Sequence, residues 1–342
     1  MNAAHPVLTP EQVDSRCFLD HLRDQLRAWS VALYDPESGG FRRNAEIGPS
    51  VLSTTDIVWI RYAAHDPEPG APDPDRVAQY LQARQDPETG RISHDPGPGG
   101  QGLSDGHAFW QTVQALRILG AQLPHFPRHL EPMMTPAGMD GWFAQFDWDG
   151  HNDERRGSHH EILGLVPVIA SLADHDLTEV LYRNMAAQQN PETGTWPRAG
   201  TNISRTFACT ALHMAAGRLP SMPEAIVDEM LRLQKGSGTW DAGLPSFGTM
   251  DAAYVLVRLP PRVGYRETEA AAALRRLSAA MRRVYAAEQP AILDDPHGTL
   301  AVTHTFGLLQ EAFPEEYPSA RPYRFDWDRL DLYVCDVITR RE

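Results

Sequence analysis

Six residues able to move protons or hold charge recur at near-constant spacing. They are Asp56, His107, His160, Arg205, Asp251 and His304, separated by 51, 53, 45, 46 and 53 positions. His160 lies in the run His159-His160-Glu161, and His107 follows Asp105 by two residues. Aspartate, glutamate and histidine are the usual general acids and bases. Arginine offers a planar fork to a phosphate or carboxylate. If the six positions are equivalent points on six structural units, their side chains converge on one pocket. Burying charge without partners is costly, so six such residues at one level point to use. Helix capping accounts for Asp105, and for Asp56 and Asp251 taken singly. It does not account for Arg205, whose charge is unfavourable at a helix N-terminus.

The elements that must position these residues follow from a repeated phrase. It reads Asp35-Pro-Glu-Ser-Gly39, Asp86-Pro-Glu-Thr-Gly90 and Asn190-Pro-Glu-Thr-Gly194. Worn copies are Lys235-Gly-Ser-Gly238, Asp295-Pro-His-Gly298 and Asp147-Trp-Asp-Gly150. The closing glycines 39, 90, 150, 194, 238 and 298 step by 51, 60, 44, 44 and 60 residues. A repeat of this length decides the architecture before any single motif is read.

Before the phrase comes an amphipathic helical pattern, as at 77–84, 181–188 and 225–233. Proline and glycine stop it in a turn. A polar loop follows, and then a more apolar helical run behind a Ser, Thr or Asp cap. These second runs are 54–63, 105–119, 158–170, 204–215, 249–259 and 303–312. Amphipathic helices outside and nearly all-apolar helices inside make a double ring. The expected fold is all-α: one domain over residues 1–342, six helical hairpins closed into an (α/α)6 toroid. The Gly/Pro-rich stretch 95–102 reads either as a loop over the mouth or as a plain surface loop. The segment 124–139, with prolines at 124, 127, 132 and 136, reads as a crossing between repeats two and three. The aromatic and acidic tail 317–342 is expected to pack on the outside of the barrel.

Composition excludes several classes. The net charge of −14 disfavours non-specific binding to nucleic acid or anionic lipid. Cys17, Cys209 and Cys335 are too few and too far apart for a disulfide framework or a structural zinc site. No signal peptide and no apolar run of membrane-spanning length is seen. The expectation is a cytoplasmic protein acting on a small molecule.

The repeats resemble a known superfamily. Gln234-Lys-Gly-Ser-Gly-Thr-Trp240 has the form Gln-x3-Gly-x-Trp, and Gln189 to Trp196 is the same phrase with one extra residue. Gln85 to Gly90 keeps its first half. This is similar to the Gln/Trp repeat of squalene and other terpenoid cyclases, whose superfamily includes the protein prenyltransferase β subunits. Asp105-Gly-His-Ala-Phe-Trp-Gln111 resembles the prenyltransferase phrase Asp-Gly-Cys-x-x-Phe-Trp-Gln. Arg205-Thr-Phe-Ala-Cys209 resembles its Arg-x-x-Tyr-Cys element, and His304-Thr305 its His-Thr. The resemblance implies an α/α barrel. It also marks departures: the Asp-x-Asp-Asp acid motif of class II cyclases is absent, and Asp294-Asp295 is a bare pair. Prenyltransferases hold zinc with Asp, Cys and His. Asp251 and His304 stand at two of those places, but Ala253 stands at the third.

On this reading Asp251, His304, Asp56 and Glu161 form the catalytic set. His304, between Asp251 and Asp56 in a closed ring, orients and tunes an acid, and Glu161 stands across the ring as an opposed base or acid. Arg205, His107 and His160 bind substrate, with helix N-termini favouring an anionic group. Trp59, Trp110 and Tyr254, with Phe207 and Phe306, lie one turn deeper. Such rings stack on a sugar or shield a carbocation. No cofactor is expected, the alternative being a divalent metal on Asp251 and His304. Three functions fit: a terpenoid-cyclase-like enzyme, a carbohydrate-active hydrolase or epimerase using the same residues, and a non-catalytic ligand-binding barrel.

Overall fold

A computed structural model describes residues 7–93, 105–148, 161–328 and 338, the side chain of residue 105 excepted. The described chain is mostly helical. A short α1 (Pro10–Asp14) precedes α2 (Phe18–Leu33), α3 (Val51–Ala63), α4 (Pro74–Gln82) and α5 (Asp105–Ile118). A 3₁₀ turn (Arg128–Met133) leads into α6 (Pro136–Gln145), and a π turn (Glu161–Leu165) runs into α7 (Val166–Leu172). Then come α8 (Thr178–Ala187), α9 (Ile203–Ala215), α10 (Pro223–Leu233), α11 (Phe247–Val263), α12 (Glu267–Leu293) and α13 (Pro296–Ala312). Among the described residues there are isolated β-bridges but no strand.

Two kinds of helix alternate. In α4 only Val77, Ala78, Tyr80 and Leu81 are buried, one face of an otherwise polar helix. In α13, 13 of 17 residues are buried, so no face is left for solvent. The buried class is α3, α5, the π turn with α7, α9, α11 and α13. Each packs on the next: α3 on α5, α5 on the π turn, the π turn on α9, α9 on α11, and α11 on α13. In addition, α13 packs against α3. The amphipathic helices lie between them in the chain. The last of these, α12, bends at Glu288 (φ −122°, ψ 19°), two residues before Pro290, whose ring cannot fit a straight helix.

The repeated phrase has a mechanical role. Gly194 N–H donates to Asn190 O at 2.9 Å and Asn190 N–H to Thr195 O at 2.8 Å, a closed turn that needs the left-handed residue Gly194 (φ +69°). Gly238 is at φ +95°, and a Cβ there would fall 2.7 Å from Arg276 O of α12, so the turn also serves as a close contact with the next outer helix. The glutamine of the motif ties the turn down. Gln189 Nε2 donates to Gly194 O at 2.8 Å, and Gln234 Nε2 donates to Gly238 O at 2.9 Å. The tryptophan caps the preceding helix: Trp196 Nε1 donates to Met185 O at 2.8 Å and Trp240 Nε1 to Met230 O at 2.9 Å. These residues hold the hairpins together and touch no site.

The same hydrogen bonds fix the register between repeats. Phe41, Trp196 and Trp240 N–H donate to Thr54, Thr206 and Thr249 Oγ1 at 3.0, 3.1 and 3.1 Å. Asp56 and Asp251 each follow their threonine by two residues, whereas Arg205 precedes its own by one. Arg205 therefore shares their face but lies one turn nearer the helix start.

Two expectations on organisation are corrected. Asp295-Pro-His-Gly298 is not a turn copy. Asp295 is the N-cap of α13, its side chain accepting from His297 N–H, and Pro296 opens the helix. The inner helix thus begins at 296 rather than 303, and Gly298 lies in its first turn. The tail is not confined to the outside either. Tyr323, Phe325 and Trp327 are 8, 7 and 2% exposed, and Trp327 enters among the inner helices. Gly150 and Cys335 lie outside the described residues, as does the stretch 95–102. The 124–139 crossing holds the 3₁₀ turn and the start of α6.

Candidate functional site

The inner helices bring their first turns together. On α13, His297 Nδ1 lies 3.1 Å from Asp56 Oδ2 of α3. Gln111 Nε2 of α5 reaches Asp56 Oδ1 at 3.4 Å. The His107 ring of α5 lies 5.9 Å from that of His297, and the Phe247 ring of α11 lies 4.4 Å from it. Asp56 is fully buried, while the His297 side chain keeps 26% of its exposure. Burial works to lower the His297 pKa, but the charge and hydrogen bond of Asp56 outweigh it and hold the imidazole above its ordinary value. A histidine oriented through Nδ1 by a buried carboxylate is a standard arrangement for proton transfer.

Asp251 is different. It is 0% exposed, and neither carboxylate oxygen has a hydrogen bond of ordinary length. Burial raises its pKa well above the usual carboxylate value. The Ser204 hydroxyl of α9 is near enough to oppose this, and the charge of Asp241 adds to it. Asp241 is itself committed elsewhere: its Oδ2 accepts from Ser246 N–H at 2.8 Å and Thr249 N–H at 3.0 Å, holding the start of α11. Asp251 lies on one stripe with Phe247, Tyr254 and Arg258, at helical spacings of four, three and four residues. The Phe247 and Tyr254 rings reach the interior, so Asp251 faces it too.

One turn below, aromatic rings from the inner helices form a collar. The Trp59 and Trp110 ring centres lie 6.5 Å apart, and Phe207 meets Tyr254 at 5.0 Å. Trp327 of the tail stands among them, 5.9 Å from Trp59, 6.0 Å from Trp110 and 5.9 Å from Phe207.

The remaining expected site residues fall as follows. Glu161 is buried against the start of α5, its Cγ 2.8 Å from where a Cβ on Gly106 would be. Arg205 is 1% exposed, its guanidinium 5.4 Å from the Phe146 ring centre. His160 lies outside the described residues. Phe306 faces away from the collar, packing on Phe18 at 4.8 Å and Tyr285 at 5.8 Å.

The role expected for His304 is corrected. Its Nδ1 donates to Leu300 O at 3.1 Å, and its ring sits against Trp327 at 5.0 Å and Phe325 at 5.4 Å. Burial lowers its pKa to about 4, against the pull of the Leu300 carbonyl. A neutral imidazole one or two turns below Asp251, with no hydrogen bond to it, does not tune that acid. The third place of the zinc set that the resemblance implies is held by an alanine. Ala253 offers no ligand, and among the described residues no three His, Cys, Asp or Glu side chains are grouped to hold a metal ion.

Sequence reasoning missed His297, Phe247 and Trp327. His297 lies inside Asp295-Pro-His-Gly298, which has the composition of a turn. The signal that reveals it is the Asp-Pro pair, which is also a helix start. Trp327 belongs to Tyr323-Arg-Phe-Asp-Trp327, whose period-two aromatics mark an extended segment with one face inward.

No family model matches this chain, and no curated protein does. A solved structure titled "Crystal structure of a protein from Actinoplanes" is similar to it, with a TM-score of 0.49 and 14% identity. The match covers 86% of this chain and 99% of that one. Among the described residues no helix is long and apolar enough to cross a membrane.

Proposed function

We propose that the chain is an acid–base enzyme of the terpenoid-cyclase type, built as a closed (α/α)6 toroid whose axis is the reaction chamber. The packing of α13 against α3 supports closure. One observation carries the chemistry: Asp251 is buried facing the aromatic collar, with no hydrogen bond of ordinary length to either oxygen. Desolvation keeps its proton on, which is the state a general acid needs. In the reaction the Asp251 O–H bond breaks and its proton joins a carbon of a substrate double bond. The resulting cation is attacked by a second double bond, closing a ring, and a C–H proton then leaves to a base. His297, oriented by Asp56, is the base at the mouth. The product is an isomer of the substrate, and Asp251 regains its proton from solvent. Trp59, Trp110, Phe207 and Tyr254 shield the cation. Arg205 and the helix starts receive the anionic end of an isoprenoid.

The test is turnover of geranyl, farnesyl and geranylgeranyl diphosphate, with products separated by mass spectrometry. Wild type should give a cyclic isomer from at least one. Asp251→Asn should lower its rate by about 10²- to 10⁴-fold while ligand binding is kept. Arg205→Ala should mainly raise the substrate concentration required. Full activity in Asp251→Asn excludes the assignment.

One observation favours a second reading, a carbohydrate-active enzyme. Trp59 Nε1, Thr210 Oγ1, His304 Nε2 and the Gln114 amide are buried without hydrogen bonds, and sugar hydroxyls would satisfy them. Reducing ends released from a glycan panel, with no isoprenoid product, would establish that reading. Binding without turnover of either class would establish the non-catalytic barrel.

A further inference from the structure

At the ends of the inner helices opposite Asp56 and His297 lies a cleft of about 520 Å³, lined by the last turns of α9, α11 and α13 and by Asp328. Small-molecule sites commonly measure about 300–1,000 Å³. Arg258 of α11 is committed within it. Its side chain is 16% exposed, and Nε donates to Asp328 Oδ2 at 2.7 Å while Nη1 donates to Glu311 Oε1. Tyr254 O–H donates to the same Asp328 oxygen at 3.3 Å. Among the described residues Glu311 Oε2 and Asp328 Oδ1 therefore accept no hydrogen bond. A third acceptor follows from the sequence. Pro260 and Pro261 lie inside α11 and carry no N–H, so the carbonyls of Leu256 and Val257 lack their i+4 donors. Val257 lines the cleft, and helix carbonyls point toward the C-terminal end, where partial negative charge collects. Arg262 stands one turn beyond Arg258 on the same stripe. It is exposed, and among the described residues it makes no hydrogen bond or ion pair. Met214, Val257 and Pro261 supply an apolar wall.

We propose that this cleft binds an α-amino acid with an aliphatic side chain. A primary ammonium has three N–H donors and no acceptor, and Glu311 Oε2, Asp328 Oδ1 and the Val257 carbonyl are acceptors left open to it. The carboxylate pairs with the fork of Arg262, and the aliphatic side chain lies on Met214, Val257 and Pro261. The charges explain why both ends of the ligand are read. Arg258 offsets one of the two carboxylates, so the inner part of the cleft keeps one negative charge beside the helix ends. Arg262 holds the single uncommitted positive charge at its edge. A zwitterion matches both. A simple amine leaves Arg262 unpaired, and a simple anion meets the Glu311 and Asp328 carboxylates. Nothing in this reading depends on the chemistry at the other end of the inner helices.

The experiment is isothermal titration of the full chain with three probes of one carbon skeleton. They are L-leucine, 3-methylbutylamine, which lacks the carboxylate, and 4-methylpentanoate, which lacks the ammonium. L-Leucine should bind, and each of the other two should bind about tenfold more weakly or worse, since each loses charge-assisted hydrogen bonds. Arg262→Ala should weaken L-leucine about tenfold and leave 3-methylbutylamine unchanged. Glu311→Gln should weaken L-leucine and 3-methylbutylamine by a similar factor. Both substitutions fall on exposed side chains at helix ends, and circular dichroism checks that each variant keeps its helices. Three results overturn the proposal: no binding of L-leucine to wild type at millimolar concentration, binding of 3-methylbutylamine as tight as that of L-leucine, or an L-leucine affinity that Arg262→Ala does not move.

Discussion

Replacing Asp251 by asparagine tests the electrostatics of the site without needing a substrate. Asparagine is close in size and neutral, like the protonated acid it replaces. Asp251 is fully buried, so solvent screening does not dilute the effect. In the unfolded chain the carboxyl titrates near the ordinary aspartate value of about 3.9, whereas in the fold it is raised well above that, chiefly by burial. The folded protein therefore holds a proton that the unfolded chain has lost. The stability this contributes is fully present below the unfolded pKa and is lost as pH rises through the folded one. Within that window the slope is about 1.4 kcal/mol per pH unit for one proton. Asp251→Asn lacks the slope. Urea unfolding at half-unit steps from pH 3.5 to 8 should show wild type and variant within about 1 kcal/mol of each other at the acid end. Above pH 4 the variant should gain on wild type at the stated slope, until the folded carboxyl itself ionises. A difference between the two proteins that stays constant across this range refutes a buried, proton-holding Asp251.

Other outcomes follow from neighbouring geometry. Asp56→Asn removes the charge that holds the His297 pKa up, so NMR titration of the His297 ring should give a lower midpoint in the variant. The His297 contribution is fully present below the ordinary histidine value and is lost as pH rises through the raised one, and burial also raises the Asp56 carboxyl against the pull of His297, so wild type should steadily lose stability relative to the variant as pH rises into the alkaline range. Gly238→Ala forces a side chain into φ +95° with its Cβ 2.7 Å from Arg276 O. It should cost about 1–3 kcal/mol, read as a lowered urea midpoint.

The all-α fold was legible because its signals are local. Proline and glycine at Asp35–Gly39 and Asn190–Gly194 interrupt helices wherever they stand, and apolar runs such as 204–215 exceed what one face of a surface helix needs. The spacing of Asp56, His107 and Asp251 was legible because repeats carry equivalent positions. The local chemistry of Asp295-Pro-His-Gly298 is ambiguous, since Asp-Pro opens helices as readily as it closes them, and that ambiguity hid His297. His304 looked like a mouth residue because the helix start was placed seven residues late; in space it belongs to the collar. The tail was illegible for a different reason. Nothing in Tyr323-Arg-Phe-Asp-Trp327 tells which surface its aromatic face will cover, because that depends on contacts with Trp59, Trp110 and Phe207, more than a hundred residues away.

The proton route is the central claim, and solvent isotope reports on it directly. On the proposed function, farnesyl or geranylgeranyl diphosphate incubated with the protein in deuterium oxide should yield a cyclic product carrying one deuterium on carbon, delivered from Asp251 after exchange with solvent, and Asp251→Asn should form it about 10²- to 10⁴-fold more slowly. A cyclic product formed by wild type without deuterium on carbon would contradict protonation by Asp251.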